Sequence, residues 1–267
     1  MKKILLTCLF TASTVSAATF AQAQESYEEQ YSNETSASKW SYIAGAGVAI
    51  SPEYLGSDEM DTHAIPLLGA SYKIDEHQTI KLGFPRTGYS YNTGAYEYGL
   101  DLNYDGGRDS SDDRLLTGLE DIDAYATLSP RFAMQMSDLF VFGAQLNLPL
   151  SNDVDGYTVD VSVSRTYELT PEISIAWELG TSYANKDYLD SMFSTTANAG
   201  VGRAAYTADD AGFYMYSGKT TATYHIDKKN FVLANLGFYK LTGDAGDSSL
   251  TQSDTAPQFT MGYVHRF

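Results

Sequence analysis

Reading backwards from Phe267, every second residue is bulky: Phe267, His265, Tyr263, Met261 and Phe259, with Arg266, Val264, Gly262, Thr260 and Gln258 between them. A period of two sustained over ten residues puts the two sets on opposite faces of one extended strand. Bacterial outer-membrane β-barrels end on a strand of this kind, with an aromatic face and a terminal phenylalanine. This feature predicts both a compartment and an architecture for the whole chain.

The start of the chain agrees with export. Lys2 and Lys3, the apolar run Ile4 to Phe10 and the site Ala21-Gln22-Ala23 read as a secretory signal over 1–23, with cleavage after Ala17 as the alternative. Thr7 before Cys8, and the early position of that cysteine, argue against a lipoprotein signal. Losing the segment removes two lysines and no acid, which takes the formal net charge from −17 to −19 and leaves no cysteine. Disulfide scaffolds are thereby excluded. Nucleic acid is a poor partner, because no basic run is available to neutralise phosphates. No later stretch has 18 consecutive apolar residues, so a membrane-spanning form of this chain is a closed barrel. The polar, aperiodic segment 24–38 reads as a flexible periplasmic lead, and 39–267 as the barrel.

From Trp40 onward one unit recurs: a stretch alternating apolar and polar residues, then a turn. Phe140, Phe142, Ala144, Leu146, Leu148 and Leu150 alternate with Val141, Gly143, Gln145, Asn147 and Pro149, and Tyr96 to Asp105 and Glu172 to Tyr183 repeat the pattern. The pattern predicts an all-β antiparallel transmembrane barrel of twelve strands, at 40–51, 64–74, 78–84, 85–91, 95–106, 121–136, 139–149, 157–168, 172–184, 213–226, 230–242 and 257–267. The third and fourth are short and contain Pro85, so ten strands is the alternative. Short turns fall at one end, read as periplasmic, and long acidic segments at the other, read as extracellular. A soluble sandwich would also alternate, but it leaves the 21 tyrosines and the sorting of turns unexplained. Tyrosine suits a barrel because its ring sits in the apolar band while its hydroxyl reaches headgroups or water.

Four stretches carry a family likeness. They are Ser51-Pro52-Glu53-Tyr54-Leu55-Gly56-Ser57-Asp58; Gly107-Arg108-Asp109 with Asp113-Arg114-Leu115 and Gly118-Leu119-Glu120-Asp121; Ser182 to Phe193, which includes Tyr188, Asp190 and Phe193; and Tyr239 to Ala245 with the closing aromatic strand. Together they resemble the MltA-interacting protein / OmpV family of outer-membrane proteins. Where that family often has Ser-Pro after Gly-Asp-Ala, this chain has Asp247-Ser248-Ser249-Leu250. The resemblance implies an integral outer-membrane protein in contact with outer-membrane lipids. The founding name implies a scaffold between a lytic transglycosylase and a peptidoglycan synthase, and other members are described as adhesins or surface proteins.

Candidate site residues divide into loops and lumen. Glu53, Asp58, Glu59 and Asp61 could hold a divalent cation, since hard cations take several carboxylate oxygens, or be a solvated loop; their spacing is not that of an EF-hand. Arg108 and Arg114 with Asp109, Asp112, Asp113 and Asp121 could form a charge network at the rim. The apolar loop 185–212 is expected to pack into the mouth rather than form an outward patch. Asp101, Asp121, Asp123, Asp160 and Glu178 fall on the expected lumen face, with Arg131 and Lys219 as counter-charges. A ring of such acids would favour cations in a small diffusion channel, which stands as the alternative function beside adhesion through the outer loops. None of His63, His77, His225 and His265 lies in a catalytic motif, and no cofactor or metal motif occurs. The sequence therefore predicts a non-enzymatic barrel.

Overall fold

The computed structural model describes residues 38–267; the signal segment and nearly all of the lead lie outside the described residues. Twelve antiparallel strands form a closed meander in which each strand bonds to its sequence neighbours and the first also bonds to the last. They are β1 Trp40–Pro52, β2 Met60–Lys73, β3 Gln78–Gly83, β4 Arg86–Asn92, β5 Tyr96–Asp105, β6 Tyr125–Ser137, β7 Phe140–Leu150, β8 Thr158–Thr170, β9 Ile173–Ala184, β10 Gly212–His225, β11 Asn230–Leu241 and β12 Thr255–Arg266. The seam pairs Ile43 with Arg266 and Ile50 with Phe259. Among the described residues two short α-helices lie in the long loops, α1 at Lys186–Phe193 and α2 at Gly243–Asp247, with one 3₁₀ turn at Arg114–Leu116. Among the described residues no helix is long and apolar enough to cross a membrane.

The distribution of polarity is inverted relative to a water-soluble protein. Leu179 and Leu236 are 57% and 60% exposed, while on the alternate face Asp101 and Lys219 are 4% and 6% exposed. A soluble sandwich hides its apolar face; here Tyr98, Leu100, Leu102, Phe213, Tyr216, Phe238 and Tyr263 point outward, exposed. This is the burial pattern of a chain whose solvent on the outside is hydrocarbon and whose interior is polar. An aromatic belt rings the short-turn end. Trp40 and Tyr72 touch with ring centroids 4.8 Å apart, and the Arg165 guanidinium lies 4.1 Å from the Tyr167 ring and 5.5 Å from that of Phe140. Such rings and long cations suit the headgroup layer.

The turns sort as the sequence predicts, save that the two-residue tip 84–85 of the β3–β4 hairpin points to the long-loop end. Residues 74–77, 93–95, 138–139, 171–172 and 226–229 close hairpins at one end; 53–59, 106–124, 151–157, 185–211 and 242–254 stand at the other. The Asp75 carboxylate shows why the short turns are so tight: it accepts from the backbone N–H groups of His77 and Gln78, at 2.9 and 2.8 Å.

Most strand boundaries fall within two residues of expectation, and two differ by four. β2 starts four residues earlier than 64, at Met60, because Pro52–Met60 is still in register with β1. β6 starts at Tyr125 rather than 121, because Ile122 exchanges both backbone hydrogen bonds with Arg108 inside the 106–124 loop, at 2.8 Å each. Asp121 and Asp123 therefore leave the lumen face and become exposed loop residues.

Candidate functional site

The site has two layers, a cap over the long-loop mouth and a charged lumen below it. The cap begins with α1. Asn185 caps the helix by accepting from the Tyr188 N–H at 3.2 Å and also accepts from the Tyr157 N–H at 2.8 Å, so one side chain ties two loops together. The helix then presents Leu189, Met192 and Phe193 inward, exposed 1%, 5% and 1%. They pack with Leu55, Ile122, Val154, Tyr214 and Ala245, which come from the four other long loops and a strand tip. The loop 185–211 thus packs into the mouth.

Polar contacts lock the cap from above. Tyr54 donates to the Leu250 carbonyl at 3.0 Å and packs on Leu116. The Gly56 carbonyl accepts from the Gln252 and Ser253 N–H groups, and its own N–H donates to the Tyr239 hydroxyl at 3.2 Å. Gly56 has φ of +100°, and a Cβ there would sit 2.9 Å from the Thr251 hydroxyl, so both the turn and the close approach call for glycine. Arg203, 3% exposed, donates to the carbonyls of Leu115, Thr117 and Thr196, stitching loop 106–124 to loop 185–211. Burial pushes its guanidinium below the ordinary value. Tyr206 donates to Asp244 at 3.1 Å, and burial, with that hydrogen bond next, moves its hydroxyl up to about 12.

Below the cap the lumen charges pair off. Asp101 accepts from Arg86 and, at 2.9 Å, from Arg131, whose other nitrogen reaches Glu97. Lys219 meets Glu178 at 3.1 Å, and Arg86 from the facing wall is near enough to act on it electrostatically. Asp160 is held by Asn147 at 2.6 Å, the end of a chain in which Asn103 donates to Ser129 at 2.9 Å and Ser129 to Asn147 at 2.8 Å. Three cations therefore meet Asp101, Glu97 and Glu178 in the middle of the barrel. The interior is a cross-linked polar core rather than a ring of uncompensated acids.

A family model described as MltA-interacting protein MipA matches residues 44–267. The chain belongs to the MipA family. Among solved structures this MipA-family barrel is similar to the COG4313 outer membrane channel from Pseudomonas putida F1, with 13% identity, a TM-score of 0.53, and coverage of 88% of this chain and 97% of that one. It also matches the translocator domain of the autotransporter NalP from Neisseria meningitidis, with 12% identity, a TM-score of 0.45, and coverage of 96% and 100%. At these identities the likeness concerns the outer-membrane barrel fold alone. No curated protein matches the chain.

The residues that carry the family likeness fall mostly within the cap. Pro52, Tyr54, Gly56 and Ser57 are buried there, while Asp58 is exposed. Arg108 donates to the Met192 carbonyl at 2.9 Å rather than to a carboxylate, and Arg114 is exposed. The expected arginine–aspartate rim network is thus replaced by backbone capping. Asp113 accepts from the Leu115 N–H at 2.5 Å, Asp121 from Ser110 at 2.6 Å, and Asp112 from Asp109 at 2.9 Å. Tyr188 meets the Tyr214 ring at a tilt of 52°, with centroids 5.9 Å apart, and Asp190 accepts from Ser194 at 2.5 Å. Gly118 holds a φ of +80° beside Asn198. Of the seven charges expected in the lumen, Asp101, Arg131, Asp160, Glu178 and Lys219 point inward. Asp121 and Asp123 are the exceptions, because β6 begins beyond them: Asp121 accepts from the Ser110 N–H, and the Asp123 N–H donates to Asp153 at 3.1 Å in the exposed loop. Arg86 and Arg203 went unseen in the sequence. Arg86 could have been found, since it shares the polar alternation of Gly88 and Ser90 on β4; Arg203, in an irregular loop, left no pattern.

Each of three histidines has a local structural partner: His63 faces Asp61 at 3.2 Å, His77 donates from Nδ1 to the Asn92 carbonyl at 2.9 Å, and His265 contacts Asn230 at 2.8 Å. The acidic loop gathers differently from its sequence spacing. Glu53 and Glu59 come within 4.8 Å of Asp113 from the neighbouring loop, whereas Asp58 and Asp61 are not in the cluster. Burial, then the charges of Glu59 and Asp113, raise the Glu53 carboxyl above the ordinary carboxylate value. A raised folded-state value means that ionisation opposes the cap. Stability is lost as pH rises from the ordinary value through the raised one, and the loss is complete above it. Glu53→Gln should therefore raise the unfolding temperature at neutral pH and leave it unchanged well below the ordinary carboxylate range, as read by heat-dependent gel mobility. A variant that melts earlier than the parent at neutral pH would refute the like-charge account.

Proposed function

We propose that this protein is a non-conducting, non-enzymatic anchor of the outer membrane, with the long-loop end outside and the short-turn end in the periplasm as a docking face for cell-wall enzymes. The observation that carries the reading is the cap: Leu116, Leu189, Phe193 and Leu250, all at most 1% exposed, close the mouth. The paired lumen charges beneath it support the same reading, since an ion crossing the barrel would have to break them. A barrel built this way offers surfaces rather than a passage. The family's printed description names an interaction with MltA, and the resemblance described above extends the expected partners to a lytic transglycosylase and a peptidoglycan synthase.

Two measurements test this. Mild-detergent pull-down through the barrel should recover a lytic transglycosylase, and its clean absence would remove the docking role. Planar-bilayer recording of the purified protein should give a quiet baseline; regular conductance steps would return the acid-lined channel.

A further inference from the structure

The outward faces of the strands carry almost no charge. Among the described residues the alternation puts two permanent cations there, Lys240 on β11, which shares the face of Leu236 and Phe238, and Arg165 on β8. Lys240 meets Asp254 at 2.9 Å at the long-loop end. Arg165 has no carboxylate partner and no hydrogen-bond acceptor among the described residues; its contacts are with aromatic rings. An arginine on the lipid face of a barrel is costly at the midplane and tolerated near the interface, where an anion or water can meet it.

The rings form a frame. Arg165 pairs in register with Trp177 of β9, on the face that also carries Val163 and Leu179. Its guanidinium lies 4.1 Å from the Tyr167 ring and 5.5 Å from that of Phe140. Phe140 in turn meets Trp177 edge to face, with centroids 6.0 Å apart. One cation is thus flanked by side chains of three adjacent strands. Val141 pairs with Ser164, and Phe140 is the first residue of β7, so Arg165 stands level with the 138–139 turn. That is headgroup depth. Stacking occupies the flat faces of a guanidinium and leaves its N–H edge open to an anion. The Tyr167 hydroxyl and the Trp177 indole N–H add two donors that have no acceptor among the described residues. Acids nearby in sequence stand elsewhere: Glu168 is on the opposite face of β8, and Asp138 and Glu172 are in the turns.

We propose that this frame binds the phosphodiester of an anionic phospholipid in the leaflet around the short-turn end. The guanidinium edge takes two phosphate oxygens as a bidentate pair. Tyr167 and Trp177 bond the glycerol region, and the acyl chains lie along Val161, Val163 and Leu179. A zwitterionic phospholipid binds more weakly, because its own ammonium already neutralises the phosphate. The proposal goes beyond the docking role. It rests on the orientation given above only for which leaflet supplies the lipid, and the vesicle measurement below depends on neither.

The chain has two tryptophans, Trp40 and Trp177, so a Trp40→Phe barrel reports on the frame through Trp177 alone. The probe is brominated phosphatidylglycerol, compared with brominated phosphatidylcholine, each mixed into phosphatidylcholine vesicles holding the purified barrel. The anionic lipid should quench Trp177 at a several-fold lower mole fraction, and Arg165→Gln in the same background should remove the difference. Equal quenching by the two lipids before Arg165 is changed would overturn the site, whether or not the glutamine variant folds. A preference that survives Arg165→Gln in a barrel that still shifts on boiling would belong to the general charge of the short-turn end and would overturn it too. Arg165→Lys keeps the charge without the flat fork, and should keep less than half of the preference; full retention would overturn the stacked, bidentate geometry.

Discussion

Replacing Asp101 with asparagine should be among the most damaging single changes in this barrel. Asp101 is the shared acceptor for Arg86 and Arg131. The three side chains are only 4%, 13% and 15% exposed. Asparagine keeps the shape and removes the charge, so two guanidinium groups remain in the interior with Glu97 as the remaining counter-charge on that wall. Breaking a buried pair by removing one partner costs about 3–5 kcal/mol, far more than the net contribution of the pair to folding, because the desolvated charge is left uncompensated. The measurement is the urea midpoint at which the fast-migrating folded band disappears. Asp101→Asn should lower it strongly, and the double change Asp101→Asn with Arg86→Met should recover part of the loss. An unchanged midpoint for the single variant would mean that water already solvates these charges and that the lumen is open at this level.

Truncating Phe193 should unlock the mouth. Its ring is 1% exposed and packs against Tyr214 at 6.3 Å, and its carbonyl is held by the Ser248 hydroxyl at 2.6 Å. Phe→Ala at a buried position costs about 3–5 kcal/mol. That loss falls on a cap whose residues come from separate loops and which lies at the end of an intact barrel. Phe193→Ala should therefore leave the barrel folded and make 185–211 sensitive to protease added to whole cells. The same variant should show intermittent conductance where the parent is silent. Full protease resistance together with silence would show that the polar contacts of Tyr54, Gly56 and Arg203 close the mouth without the apolar core.

How far the sequence reached depends on whether the relevant contact is local. The dyad alternation of β5, β7 and β9 is written in consecutive residues and survives any register, so strand number and the inward faces of Asp101, Asp160 and Glu178 were legible. The β3–β4 hairpin was legible as weak, because Pro85 and its brevity are visible. Asp123 misled because Asp121-Ile122-Asp123 alternates like a strand, yet Ile122 finds its partner in Arg108, fourteen residues earlier in the same loop. Asp113 joining Glu53 and Glu59, and Arg203 reaching Leu115, depend on where loops land over a closed mouth. No short-range pattern encodes that meeting.

The β1–β12 seam has a bearing on assembly. Gly45 lies against Val264, so the first strand finds one of its two neighbours only in the last. Bringing together segments more than two hundred residues apart is entropically slow, and until then both flanking strands are bare templates for foreign chains. Whatever guards those two edges before the ring shuts governs how much of the protein reaches its native state.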